Sequence, residues 1–145
     1  MNIERLRATN VVLPGGQNTP RLTDALVAFD DEWRWQCQAS EMHLSVREGS
    51  EVSLMVVVRR ANSVCLICKE IEDEAPGFVS LKAQPHNDTW HRVEMQDVTV
   101  FYPEKYFIPL EEARSALAEF IGSRRRSGAL DWELLEPATL RYEYF

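Results

Sequence analysis

Two apolar runs separated by four residues constrain this chain more than any other feature. Val52-Ser53-Leu54-Met55-Val56-Val57-Val58 and Ser63-Val64-Cys65-Leu66-Ile67-Cys68 are apolar on both faces and rich in β-branched residues. A strand with one wetted face alternates, so a strand that does not alternate must be covered on both sides. Arg59-Arg60-Ala61-Asn62 between them is short and polar, and is expected to reverse the chain. The two runs therefore pair as an antiparallel hairpin at the centre of a sheet.

The rest of the chain supplies neighbours and cover for that hairpin. Trp33, Trp35 and Cys37 alternate with polar residues, as do Met42, Leu44 and Val46, and Glu48-Gly49-Ser50 turns the chain into the central run. Phe78–Leu81, Trp90–Met95, Val98–Tyr102 and Leu130–Leu135 read as further strands, Val11–Leu13 as a short one before Pro14-Gly15-Gly16, and Tyr142-Glu143-Tyr144-Phe145 as an aromatic alternating tail. Thr19 and Pro20 read as the N-cap and first residue of a helix with Leu22, Ala25, Leu26 and Phe29 on one face, ending before Asp30-Asp31-Glu32. A second helix opens at Pro109. Its stripe is Leu110, Ala113, Ala116, Leu117, Phe120 and Ile121, with Glu111 and Glu112 in the first turn and Arg124, Arg125 and Arg126 after the last. The expected class is α+β, an antiparallel meander sheet packed against an N-terminal-half helix and a C-terminal amphipathic helix.

At 145 residues the expectation is one domain spanning the whole chain. Arg and Lys total 16 against 23 Asp and Glu, a net charge of −7, which argues against a nucleic-acid partner and for a basic protein partner. The N-terminus carries Glu4, Arg5 and Arg7 with no apolar run behind them, and no stretch is apolar enough to span a bilayer, so cytoplasmic residence without membrane association is expected.

Chemistry-bearing patterns are few. Cys65-Leu66-Ile67-Cys68 has the spacing of a zinc or redox pair, but residues three apart on a strand point to opposite faces, which suits two buried thiols instead. His86, Asp88 and His91 cluster in or beside a polar loop without a fourth ligand, and His43 lies on the polar side of its strand. No nucleophile elbow, zinc-protease helix or phosphate-binding glycine loop occurs in the sequence. The expectation is a protein that is not an enzyme and takes no metal or cofactor.

Further along, Tyr106-Phe107-Ile108 is followed by Pro109-Leu110-Glu111-Glu112-Ala113, Ala116, Glu119-Phe120 and then Leu130-Asp131-Trp132. With the central hairpin and Pro76-Gly77-Phe78-Val79-Ser80, this arrangement resembles the immunity proteins of bacterial polymorphic toxin systems, and among them the Imm-one family, which includes immunity proteins against cytidine deaminase toxins. The resemblance covers roughly residues 41–135, leaving 1–40 as an N-terminal strand and helix and 136–145 as a tail. It implies an antiparallel sheet packed on helices, in a protein that neutralises a cognate toxin domain by occupying or occluding its active site. It brings no catalytic residue.

The contact surface is expected around the acidic loop of Glu70, Glu72, Asp73 and Glu74, with Trp90 or another exposed aromatic as apolar anchor, and Asp30-Asp31-Glu32 is the next candidate. Rim carboxylates would speed encounter with a basic cleft, and a desolvated aromatic would hold it. A rival reading is a small-ligand-binding protein or enzyme using His86, Asp88 and His91, or a pocket lined by Trp33, Trp35 and Trp90. A third is a structural or chaperone-like adaptor.

Overall fold

A computed structural model describes residues 10–12, 18–19, 23–30, 41–48, 51–60, 62–70, 77–83, 89–94, 98–136 and 139–144. In chain order its elements are β1 (Asn10–Val12), β2 (Asn18–Thr19), α1 (Thr23–Asp30), β3 (Glu41–Glu48), β4 (Glu51–Arg60), β5 (Ser63–Lys69) and β6 (Phe78–Leu81). After these come β7 (Trp90–Glu94), β8 (Val98–Pro103), a 3-10 turn (Glu104–Tyr106), β9 (Phe107–Pro109), α2 (Leu110–Ser123), β10 (Asp131–Leu134) and β11 (Arg141–Tyr144). The class is α+β.

The predicted hairpin is the heart of it: β4 and β5 pair antiparallel from Leu54 opposite Lys69 to Arg60 opposite Ser63. Around them runs an antiparallel sheet in the order β10-β6-β5-β4-β3-β1-β2, with β9 also on β5. The stretch from β3 to β6 is the expected meander. Strands β11, β8 and β7 form a separate three-stranded sheet.

Cover on both faces follows. Phe29 of α1 and Ala113, Ala116, Leu117, Phe120 and Ile121 of α2 pack on Met42, Leu44, Val46, Met55, Val57, Val64, Leu66 and Cys68. On the opposite face Val58, Cys65 and Val79 meet Val93, Val100 and Tyr102 of the small sheet, together with Tyr106 and Phe107. The layers are thus helices, large sheet and small sheet. Cys65 and Cys68 fall in different cores, as strand geometry requires, and burial drives the Cys65 thiol pKa up.

One edge of β5 is shared by two strands. Near its end β6 pairs with Ile67 and Cys68, and near its start β9 pairs with Ser63, Val64 and Cys65. Leu66 lies at the junction. There the buried Ser80 hydroxyl accepts from the Leu66 N–H at 3.0 Å and donates to the Tyr106 carbonyl at 3.0 Å, so neither main-chain group is left unpaired. Just before β6, a Cβ on Gly77 would come within 3.1 Å of the Cys68 carbonyl oxygen, so any larger residue there would push the two strands apart by a few tenths of an ångström.

Three local expectations are corrected. Thr19 does not cap α1 but sits in β2 opposite Val11. The helix runs through Asp30, whose carboxylate is poorly placed for the helix dipole; Arg114 of α2 offsets this with hydrogen bonds of 2.9, 3.2 and 2.9 Å to its two oxygens. Arg59 and Arg60 continue β4 rather than turning. Arg59 is buried because its guanidinium donates to the Phe29 carbonyl at 2.7 Å, satisfying an acceptor at the end of α1. The expected strand over Trp33, Trp35 and Cys37 and the turn at Pro14-Gly15-Gly16 lie outside the described residues.

Candidate partner-binding site

Five residues were expected to form the contact surface, and the structure describes two of them; Glu72, Asp73 and Glu74 lie outside the described residues. Glu70 directly follows β5, where its carbonyl accepts a 2.6 Å hydrogen bond from Ser53 on β4. Its carboxylate is not simply solvated. Arg126 Nε donates to Oε1 at 3.1 Å and the Arg126 main-chain N–H donates to Oε2 at 3.3 Å. The Arg126 guanidinium carbon sits 3.5 Å from the Phe78 ring centroid, stacking the cation on an aromatic face.

The segment after α2 is what delivers Arg126. Arg124 takes the left-handed conformation at φ 62°, and its N–H donates to the Phe120 carbonyl at 2.7 Å, ending the helix as glycine more often does. Two residues on, Arg126 reaches Glu70. Ser127 then accepts from the Trp132 indole N–H at 3.0 Å, tying this segment to β10. Arg126, expected only as part of the cationic end of a helix, thus anchors the first carboxylate of the acidic stretch.

Trp90 opens β7 at the other end of the molecule's central strand. Its neighbour His91 accepts at Nδ1 from Arg60 Nη1, and Arg60 is opposite Ser63, the first residue of β5, whereas Glu70 follows the last. The structure therefore does not bring Glu70 and Trp90 together. Trp90 is in register with Pro103, Arg92 with Phe101, and Arg141 with the same Phe101. Directly opposed residues and residues two apart share a face, so Trp90, Arg92, Phe101 and Arg141 lie on one side of the small sheet. That side faces away from the large sheet, because His91, Val93, Val100 and Tyr102 face it. The Arg141 guanidinium lies 4.4 Å from the Trp90 ring centroid. No sequence motif singles out Arg92, Phe101 or Arg141; the signal for the two arginines is the shared alternation of Trp90-His91-Arg92 and Arg141-Tyr142-Glu143.

His91 is the described member of the His86, Asp88, His91 group, and it lies on β7, within the strand expected over Trp90–Met95. It packs edge-on against Phe107 at 4.9 Å, and burial with the adjacent Arg60 lowers its pKa. His86 and Asp88, and the Trp33 and Trp35 of the rival pocket, lie outside the described residues. Among the described residues no three His, Cys, Asp or Glu side chains are grouped to share a metal ion, and no helix is long and apolar enough to cross a membrane. His43 is a surface residue whose Nε2 lies 3.2 Å from Glu41, and the hydrogen bond to that carboxylate raises its pKa against the effect of partial burial.

No curated protein and no solved structure matches the chain. A family profile does: that of immunity protein Imm1 aligns with residues 20–134, taking in α1, α2 and the strands from β3 to β10. Since the match spans well over half of the sequence, the chain belongs to the Imm1 family of immunity proteins.

Proposed function

We propose that this chain is a cytoplasmic immunity protein that binds a cognate toxin domain and neutralises it by occluding its active site, acting without catalysis of its own. The family match over residues 20–134 carries this reading. The overall charge of −7 supports it, since a toxin acting on nucleic acid or a nucleotide presents a positive cleft. Support also comes from the mounting of Glu70, which Ser53 and Arg126 hold on packed elements. Preorganisation of this kind reduces the entropy lost on association.

The test pairs the purified chain with the toxin domain encoded beside its gene. Co-expression should restore growth to cells making the toxin, and the two proteins should form a stoichiometric complex. Reversing Glu72 and Asp73 to Lys should slow association and weaken its salt dependence without unfolding the protein. Failure of the unmodified chain to bind or protect would overturn the proposal. Binding that leaves the toxin fully active would overturn the occlusion step alone.

A further inference from the structure

On the side of the small sheet that faces away from the large one, the acidic chain exposes two arginines beside two half-buried aromatic rings, while Thr99 on the same side is buried. Arg141 on β11 reaches across β8 to stack on Trp90 of β7, and Arg92 stands opposite the same Phe101 that Arg141 opposes. Both arginines are exposed, while Trp90 and Phe101 are half-buried. Strands in a sheet are roughly 4.8 Å apart, so two residues flanking a common neighbour stand about 10 Å from each other on either side of its ring.

This geometry has consequences for binding. A guanidinium stacked on an indole has one flat side desolvated, while its N–H edges remain in the plane and point away from the ring. Those edges form the fork that matches a carboxylate with two parallel hydrogen bonds. The stacking also holds a long side chain that would otherwise lose rotamer freedom on docking. Trp and Arg are the residue types that most often dominate binding energy where they are buried together at an interface. The sign of the face changes along β11, where Glu143 follows two residues after Arg141, which confines the cationic part to the Trp90 end.

We propose that the face formed by Trp90, Arg141, Phe101 and Arg92 is a contact surface for a carboxylate-bearing segment of the toxin, the indole packing against it while Arg141 pairs with its acid. This rests on the toxin-binding reading and refines it: the aromatic anchor lies apart from Glu70 and takes a partner patch of opposite sign to the basic cleft. The Arg141 fork fits a single carboxylate, whereas the overall charge of −7 disfavours the long run of phosphates of a nucleic acid.

Binding kinetics with the toxin domain encoded beside the gene test it, using the full chain and its variants. Arg141→Glu should slow association at least tenfold at low salt, Trp90→Ala should speed dissociation about tenfold, and Arg141→Lys should fall between wild type and Arg141→Glu. Arg141 is exposed, so its variants report on binding even if Trp90→Ala proves poorly folded by circular dichroism. If wild type binds no toxin, the functional reading fails and the surface falls with it. If wild type binds and the Arg141 variants keep its rates, the surface assignment alone is wrong. Tight binding of an eight-residue oligothymidylate that Arg141→Glu abolishes would also overturn it, in favour of a nucleic-acid site.

Discussion

Arg126 closes on Glu70 from two directions, its Nε donating to one carboxylate oxygen at 3.1 Å and its main-chain N–H to the other at 3.3 Å, while its guanidinium stacks on Phe78. The contact joins the segment after α2 to the end of β5. Both side chains are about a third exposed or less, at 30% and 26%, so water weakens the pair without removing it. A double-mutant cycle of Glu70→Ala and Arg126→Ala, followed by urea unfolding, should give a coupling of about 1 kcal/mol that shrinks in high salt. A coupling of zero would show that Phe78 alone positions Arg126.

Phe120 is fully buried between α2 and the large sheet, with Trp132 of β10 packed at the margin of the same cluster. Phe120→Ala should lower unfolding free energy by about 3–5 kcal/mol, through lost transfer energy and the cavity left behind. Chemical denaturation measures this directly, and an unchanged midpoint would contradict the packing.

The central hairpin, α2 and the opposed cysteines were legible because each is a local pattern: two runs without alternation, a 3.6-residue stripe, and a spacing of three on a strand. Arg59 shows what a local pattern misses. Two arginines before a short polar stretch read as a turn, yet Arg59 is buried with its guanidinium donating to the carbonyl of Phe29, 30 residues away. The separation of β7, β8 and β11 into a second sheet was equally hidden, since alternation tells which residues share a face but not which strand lies beside them. At the site, Glu70 and Trp90 both adjoin polar stretches, and nothing local reveals that Glu70 follows the end of β5 while Trp90 lies on the second sheet, next to the residue that bonds Arg60 at the end of β4.

Ser80 bridges the point where β6 and β9 meet along β5, accepting from Leu66 and donating to the Tyr106 carbonyl. Replacing it with Ala keeps the shape but strands both main-chain groups in a dry interior. The expected loss is about 2–3 kcal/mol, larger than a single exposed hydrogen bond would give. Amide exchange at Leu66 should accelerate by more than the global loss accounts for. Retained protection there would mean that the strands close the gap themselves.

Two histidines should titrate on opposite sides of the ordinary value of 6.5. His43 is raised, chiefly by its hydrogen bond to Glu41, so its stabilising contribution is complete below 6.5 and is lost as pH rises through its folded-state value. His91 is lowered, first by burial and then by Arg60, with Glu104 opposing; its contribution is present above 6.5 and is lost as pH falls through its folded-state value. Arg60 can only donate, so it requires His91 neutral with Nδ1 free to accept, and protonation sets two cations against each other. Imidazole NMR between about pH 5 and 8 should resolve the two midpoints. His43→Gln should remove the fall in stability above 6.5, and His91→Gln the fall below it. Arg60→Met should move the His91 midpoint back toward 6.5 without reaching it, because burial, the larger cause, remains. A His91 midpoint above 6.5 in the unmodified protein would place Arg60 elsewhere and remove a polar contact between the small sheet and the central hairpin.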